Sequence, residues 1–303
     1  MHGKANNISA SKRHIKSLIS FLFPSNGRSA ALYPDGKQTL RVLPSSTVAV
    51  HLFDFEGEDY DAGSLYLLRQ KKLISIVRSA PTEKITKIAD ALWRGGLRFM
   101  EITFDQTGNI PQEVSAEQIR MVRESFGDRL HVGAGTVMTE TQRKLATAAG
   151  AEYIISPNVN VEIIRATKAA GLLSIPGAFT PFEIITAYEA GTDFVKFFPA
   201  DCVDPHYIKA IRTPINHIPL LAVGGVTPEN LGEYLHAGMA GAGIGGAMVR
   251  KENVAANDFD AVAARAAMSP WSKGSDRIPI FPFRLFPLTG KSPCLRATGH
   301  ELA

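Results

Sequence analysis

The chain has 303 residues, 45% of them hydrophobic and 20% charged, which supplies enough apolar material for a full core and suits a folded, water-soluble protein. Its formal net charge of +4 invites a nucleic-acid or membrane-surface reading, but residues 71–268 hold 20 Lys and Arg against 21 Asp and Glu, and the flanks hold 13 against 8. The excess belongs to the tails, so the central region carries no polyanion-binding signal, and neither a nucleic acid nor a membrane is expected as a partner.

In chain order, residues 1–69 show only brief periodic stretches and are expected to form a poorly ordered N-terminal extension. Leu18 to Phe23, following Lys12, Arg13 and Lys16, is a loose match to a secretory signal that is short, ends at Pro24 and lacks a small-residue cleavage site. No apolar run approaches the roughly 20 residues that span a bilayer. The two cysteines, Cys202 and Cys294, have no metal or disulfide-framework spacing. The cytoplasm is the expected location.

From residue 70 the texture changes. Short β-type runs alternate with helical patterns eight times. The strands are predicted at residues 73–77, 99–104, 131–136, 153–156, 173–176, 194–198, 219–223 and 242–245. The helices are predicted at 82–93, 115–126, 139–149, 161–170, 181–190, 205–212, 228–237 and 258–267. Thr139 before Glu140, Thr180 before Pro181 and Glu183, and Thr227 before Pro228 mark helix starts, while Gly95-Gly96, Gly150, Gly171, Gly191 and Gly238 mark ends. Beyond residue 268, Pro270, Pro279, Pro282, Pro287 and Pro293 break any helix, and 269–303 is expected to be a disordered C-terminal extension. Strict alternation implies a parallel sheet covered by helices, and eight evenly spaced units in residues 70–268 favour an α/β-class (β/α)8 TIM barrel over an open doubly wound sheet.

In such barrels the chemistry sits at the C-terminal ends of the strands. Those positions hold Arg78, Glu101, Thr136, Pro157, Lys196, Gly224-Gly225 and Gly245-Gly246. Glu101 and Lys196 are charges inside strand patterns whose both faces are buried, and they are costly there unless paired or used. One reading is a structural Lys196–Glu101 ion pair. The other is a desolvated, nucleophilic lysine that attacks a ketone, with a carboxylate to move the protons. Gly133-Ala-Gly-Thr136 either brings the backbone close to an occupant of the barrel mouth or answers a packing need for glycine. The glycine pairs after the seventh and eighth strands stand where barrels hold phosphate on backbone N–H groups. His131, His206, His217 and His236 show no ligand spacing and no carboxylate cluster suggests Mg2+, so no metal is expected.

Eight segments in order resemble the family of 2-keto-3-deoxy-6-phosphogluconate and 4-hydroxy-2-oxoglutarate aldolases, class I enzymes with a TIM barrel. They are Ile74-Ser-Ile-Val-Arg78, Gly95 through Thr103, Val132-Gly-Ala-Gly-Thr-Val137, Ile155-Ser-Pro157, Ser174-Ile-Pro-Gly177, Phe194-Val-Lys-Phe-Phe-Pro-Ala200, Gly224-Gly-Val226 and Gly243-Ile-Gly-Gly246. The resemblance covers about residues 70–267 and leaves both extensions without a family counterpart. It implies a pyruvate Schiff base on Lys196, with Glu101 as general acid and base. It also implies that Thr136 and Pro157 line the pyruvate pocket and that Arg78 holds a carboxylate or neighbouring anion. The partner implied is a small 2-keto acid, the assembly a homotrimer, and no metal or organic cofactor is called for. Three positions depart from the family pattern: Asp105 replaces an arginine four residues after the glutamate, Val223 a threonine, and Ala247 a serine. These changes bear on the phosphorylated substrate more than on the reaction. The rival readings are a phosphate-binding barrel isomerase or synthase that would not need Lys196, and a catalytically inactive barrel serving as a binding module.

Overall fold

The computed structural model describes residues 62–268 together with two short strands, Thr39–Leu40 and Val50–His51, that pair antiparallel. These regions belong to separate compact units, Met1–Glu58 and Asp59–Ala303. The expected disorder of residues 269–303 and of most of 1–69 lies outside the described residues.

In the second unit, nine parallel strands follow one another: β1 (Leu73–Val77), β2 (Phe99–Thr103), β3 (His131–Gly135), β4 (Tyr153–Ile155), β5 (Leu173–Ile175), β6 (Gly177–Ala178), β7 (Val195–Phe197), β8 (Leu220–Val223) and β9 (Gly241–Ile244). Their order in the sheet is β5-β4-β3-β2-β1-β9-β8-β7-β6. The two ends of that order, β5 and β6, are consecutive halves of one strand interrupted at Pro176. Proline has no N–H for the ladder, so the strand breaks there, while its carbonyl still accepts from the Lys196 N–H at 2.9 Å. The sheet thereby comes round on itself as a nearly closed barrel with eight strand positions, as the alternation in the sequence predicts.

The helices among the described residues are α1 (Ala62–Lys71), α2 (Ile85–Arg94), α3 (Gln112–Phe126), α4 (Glu140–Ala148), α5 (Val161–Ala169), α6 (Pro181–Glu189), α7 (Pro205–Arg212), α8 (Leu231–His236), α9 (Lys251–Ala255) and α10 (Phe259–Ala267). In α2 the buried residues Ile85, Ile88, Ala89, Ala91 and Leu92 form one helical face. Thr139 and Thr180 close capping boxes with Gln142 and Glu183, as their spacing predicts. Some details differ from expectation. Helix α3 starts three residues earlier than Ser115, directly after Pro111. Helix α8 starts at Leu231 and not at Pro228, because the Thr227 N–H donates to Asn230 Oδ1 (2.8 Å) and the Asn230 N–H to Thr227 Oγ1 (3.3 Å), closing a turn before the helix. A short additional helix, α9, precedes α10.

The apolar residues form two cores. The larger lies between the sheet and the outer helices. The smaller fills the barrel and consists of Ile74, Phe99, Tyr153, Ile155, Leu173, Ile175, Phe194 and Leu221, joined by Leu68 from α1. Helix α1 crosses the boundary expected at residue 70, and its Leu68, 1% exposed, belongs to the barrel's interior. Burying such a side chain contributes about 1.5–3 kcal/mol.

Candidate active site

Parallel register sets the inward-facing residues level with one another. Ile76 pairs with Glu101, Glu101 with Gly133, and Lys196 with both Gly177 and Leu221. Below this level the barrel is filled by the small apolar core, so two charged side chains share the floor of the mouth. Glu101 is 1% exposed and Lys196 6%. The Lys196 ammonium lies over the Phe198 ring, 4.7 Å from its centroid; the two residues share one face of the strand end by the alternation of side chains.

Burial pushes both groups toward neutrality. It raises the Glu101 carboxyl above the ordinary range, opposed by the Lys196 charge and then by Arg78. It lowers Lys196 below the ordinary lysine value; the Glu101 charge works against this and the Arg78 charge adds to it. The two interact through space, and no direct ion pair joins them among the described residues. Chemically, a desolvated amine with a buried carboxyl near it can serve attack on a carbonyl.

The glycines of β3 have a packing reason, and it is specific. A Cβ on Gly133 would overlap the ring of Tyr153, and one on Gly135 would overlap the carboxylate of Glu101. The occupants are therefore side chains of the barrel itself. Directly after the strand stands Thr136, a non-glycine residue in the left-handed region with φ 56°. Its Oγ1 accepts from Arg78 Nη2 at 3.3 Å, which brings the loops after β1 and β3 together. On the other side, a Cβ on Gly177 would overlap the carbonyl of Pro157, so that glycine lets the chain after β4 approach the strand beside Lys196. Arg78, Glu101, Thr136, Pro157 and Lys196 thus converge on one end of the barrel.

Gly224-Gly225 and Gly245-Gly246 follow the adjacent strands β8 and β9 at that same end. Gly224 and Gly225 have φ of 99° and 65°, conformations that favour glycine, and Asn230 Nδ2 donates to the Gly225 carbonyl at 3.0 Å. Arg265 of α10 links the two loops, donating from Nε to the Ala247 carbonyl and pairing through Nη2 with Glu229 at 3.1 Å. The side chain of Asp201 packs on Gly225, where a Cβ would overlap it. Asp105, which stands where the family pattern has an arginine, is engaged within its own loop: it accepts from Thr107 Oγ1 (2.7 Å) and from the N–H groups of Asn109 and Ile110 (3.1 Å each). The Thr107 hydroxyl and then the Ile110 N–H hold its carboxyl below the usual range. Asp201 and Arg265 were not legible as site residues, since neither lies at a strand end.

Among the described residues no helix is long and apolar enough to cross a membrane, and no three His, Cys, Asp or Glu side chains gather as a metal site. Residues 66–265 match the family described as KDPG and KHG aldolase. The chain is 36% identical over 179 residues to a 2-dehydro-3-deoxy-6-phosphogalactonate aldolase of Escherichia coli K12, covering 59% of this chain and 84% of that one. It is 35% identical over 199 residues to a 2-dehydro-3-deoxy-phosphogluconate aldolase of Treponema pallidum, covering 65% and 91%. Among solved structures it is similar to native KDPGal aldolase (TM-score 0.60, 33% identity, 67% of this chain and 94% of that one). It is also similar to the KDPG aldolase of Legionella pneumophila with pyruvate captured as a covalent carbinolamine (TM-score 0.61, 26% identity, 67% and 96%). With the barrel, the strand-end residues and these matches in agreement, the chain belongs to the family of KDPG and KHG aldolases, which are lyases.

Proposed function

We propose that this chain is a class I aldolase that reversibly cleaves a 2-keto-4-hydroxy acid to pyruvate and an aldehyde through a Schiff base on Lys196. The observation that carries the reading is the pair of buried groups at the barrel mouth, Lys196 and Glu101, each moved toward its neutral form. The neutral amine adds to the C2 ketone, and the protonated Glu101 carboxyl gives its proton to the carbinolamine hydroxyl, which departs as water and leaves an iminium beside a Glu101 carboxylate. Glu101 takes the proton of the C4 hydroxyl; the C3–C4 bond breaks, its electrons passing into the enamine, and the aldehyde departs. Glu101 returns that proton to C3 of the enamine, and water hydrolyses the resulting iminium while Glu101 takes up the proton set free, which releases pyruvate and restores the neutral amine and the acid. Arg78 and Thr136, joined by their hydrogen bond, receive the pyruvate carboxylate, and Pro157 closes the apolar side of the pocket. Support comes from the Legionella relative, whose structure holds pyruvate as a covalent carbinolamine.

The substrates proposed are 2-keto-3-deoxy-6-phosphogluconate or its galactonate epimer, the names borne by the relatives, and 4-hydroxy-2-oxoglutarate. Phosphate would rest on the N–H groups of Gly224, Gly225, Gly245 and Gly246. Asp201 stands at that cradle, so the advantage of phosphate is moderated there and not at Asp105. The proposed assembly is a homotrimer. Its support is the stripe Phe182, Ile185 and Tyr188 on α6, exposed by 80%, 39% and 37%, an apolar surface that a second copy would cover. A pyruvate-release assay over 2-keto-4-hydroxy acids, with and without a terminal phosphate, tests the activity. Release from at least one of them is expected; release from none would remove the proposal.

A further inference from the structure

Thr136, directly after β3, holds a left-handed conformation that a β-branched residue adopts only under constraint, at φ 56°. The side chain of Gln106, on the loop after β2, donates from Nε2 to the Thr136 carbonyl at 2.8 Å. The Gln106 carbonyl oxygen in turn accepts from Gln142 Nε2 at 3.2 Å. Gln142 is itself fixed: it is 1% exposed, closes the capping box of α4, and accepts from the N–H groups of Met138 (2.8 Å) and Thr139 (3.2 Å). At the far end of this chain of contacts, Thr136 Oγ1 accepts from Arg78. One line of hydrogen bonds therefore runs from the buried end of α4, through an exposed glutamine, to the strained strand end and the arginine of the mouth.

From this geometry we infer that Gln106 is a positioning residue for pyruvate: it holds the Thr136 backbone in the left-handed conformation that aims the hydroxyl at the Arg78 guanidinium. The inference rests on the proposed function for the identity of the ligand. The hydrogen bonds of the Gln106 side chain go to Thr136 and Gln142 and not to Lys196 or Glu101, so it acts on the binding of the carboxylate and not on the bond-breaking step. Its amide suits the task because it donates to one carbonyl while accepting from another amide, so both ends are satisfied at once. Glutamate at this position would set an acceptor against the Thr136 carbonyl, and methionine would fill the same length without donating.

The test compares the full chain with Gln106→Met and Gln106→Glu. Pyruvate affinity is read twice, by equilibrium binding and by the pyruvate concentration that half-saturates borohydride trapping. Both variants should require about tenfold more pyruvate, equivalent to about 1.4 kcal/mol. The maximal trapping and kcat should stay within about twofold of the parent, and the melting temperature should be unchanged. This split separates positioning from a merely structural role. Affinity unchanged in both variants overturns the inference, as does a loss of kcat equal to the loss of affinity. A parent that binds pyruvate but is not trapped removes the Schiff-base reading alone, and the binding measurement still decides on Gln106. A parent that does not bind pyruvate overturns both.

Discussion

The carboxylate of Glu101 occupies the space that a side chain at Gly135 would need, the two residues lying on consecutive strands that are neighbours in the sheet. This contact sets where the buried acid can point. Gly135→Ala should force the carboxylate from its place, at a stability cost of about 1–3 kcal/mol for overpacking. The expected result is a folded protein with strongly reduced turnover, read by kcat together with thermal melting. Normal turnover in a folded Gly135→Ala protein would show that the placement of Glu101 is immaterial.

Glu101→Gln should lower turnover about 10²–10⁴-fold, the usual worth of general acid–base catalysis, while pyruvate can still be trapped. The pH dependence has a definite sign. The Glu101 charge raises Lys196, so its removal should lower the lysine further and move the acid limb of trapping to lower pH. The Arg78 charge lowers Lys196, so Arg78→Met should move that limb to higher pH. Trapping rates across pH for the two variants give opposite displacements if both charges act on the lysine, and coincident profiles if neither does.

Helix α1 gives a prediction about the boundary of the folded unit. A chain of residues 60–268 retains Leu68 within the barrel core, whereas 70–268 lacks it. Leu68→Ala in the full chain should cost about 2–5 kcal/mol. The shorter fragment should melt at lower temperature than the longer one; equal melting would show that α1 does not support the barrel.

The proposed phosphate cradle would depend on the two glycine loops keeping their spacing. Arg265 ties the loop of Ala247 to Glu229, so Arg265→Met should reduce kcat/KM for a phosphorylated substrate more than for its unphosphorylated analogue. Ala247→Ser should do the opposite, by at most the ~1.5–3 kcal/mol of one hydrogen bond to a charged group. The ratio of kcat/KM for the two analogues is the measurement. An unchanged ratio in both variants would place phosphate elsewhere.

Much of this was written in the sequence because it follows from local rules. Alternation of β-type runs with capped helices gives the barrel, and strand-end position singles out Glu101 and Lys196. What was not legible depends on which residues meet across the sheet. Gly133 and Gly135 could be seen to make room, but not that Tyr153 and Glu101 fill it. From sequence, Asp105 bears on the phosphorylated substrate because its spacing from Glu101 matches an arginine of the family; its capping of the 107–110 turn depends on the conformation of the loop. Arg265 and Glu229 are 36 residues apart and meet only once the barrel has nearly closed. The start of α8 was missed because Thr227 and Asn230 satisfy each other before the helix begins.

The central claim is that Lys196 is the nucleophile, and borohydride reduction in the presence of pyruvate followed by peptide mass mapping tests it most directly. The account predicts a reduced pyruvate adduct on the peptide carrying Lys196, and none from Lys196→Arg, whose guanidinium keeps its charge and forms no imine. An adduct on Lys209 or another surface lysine, with Lys196 unmodified, would contradict it.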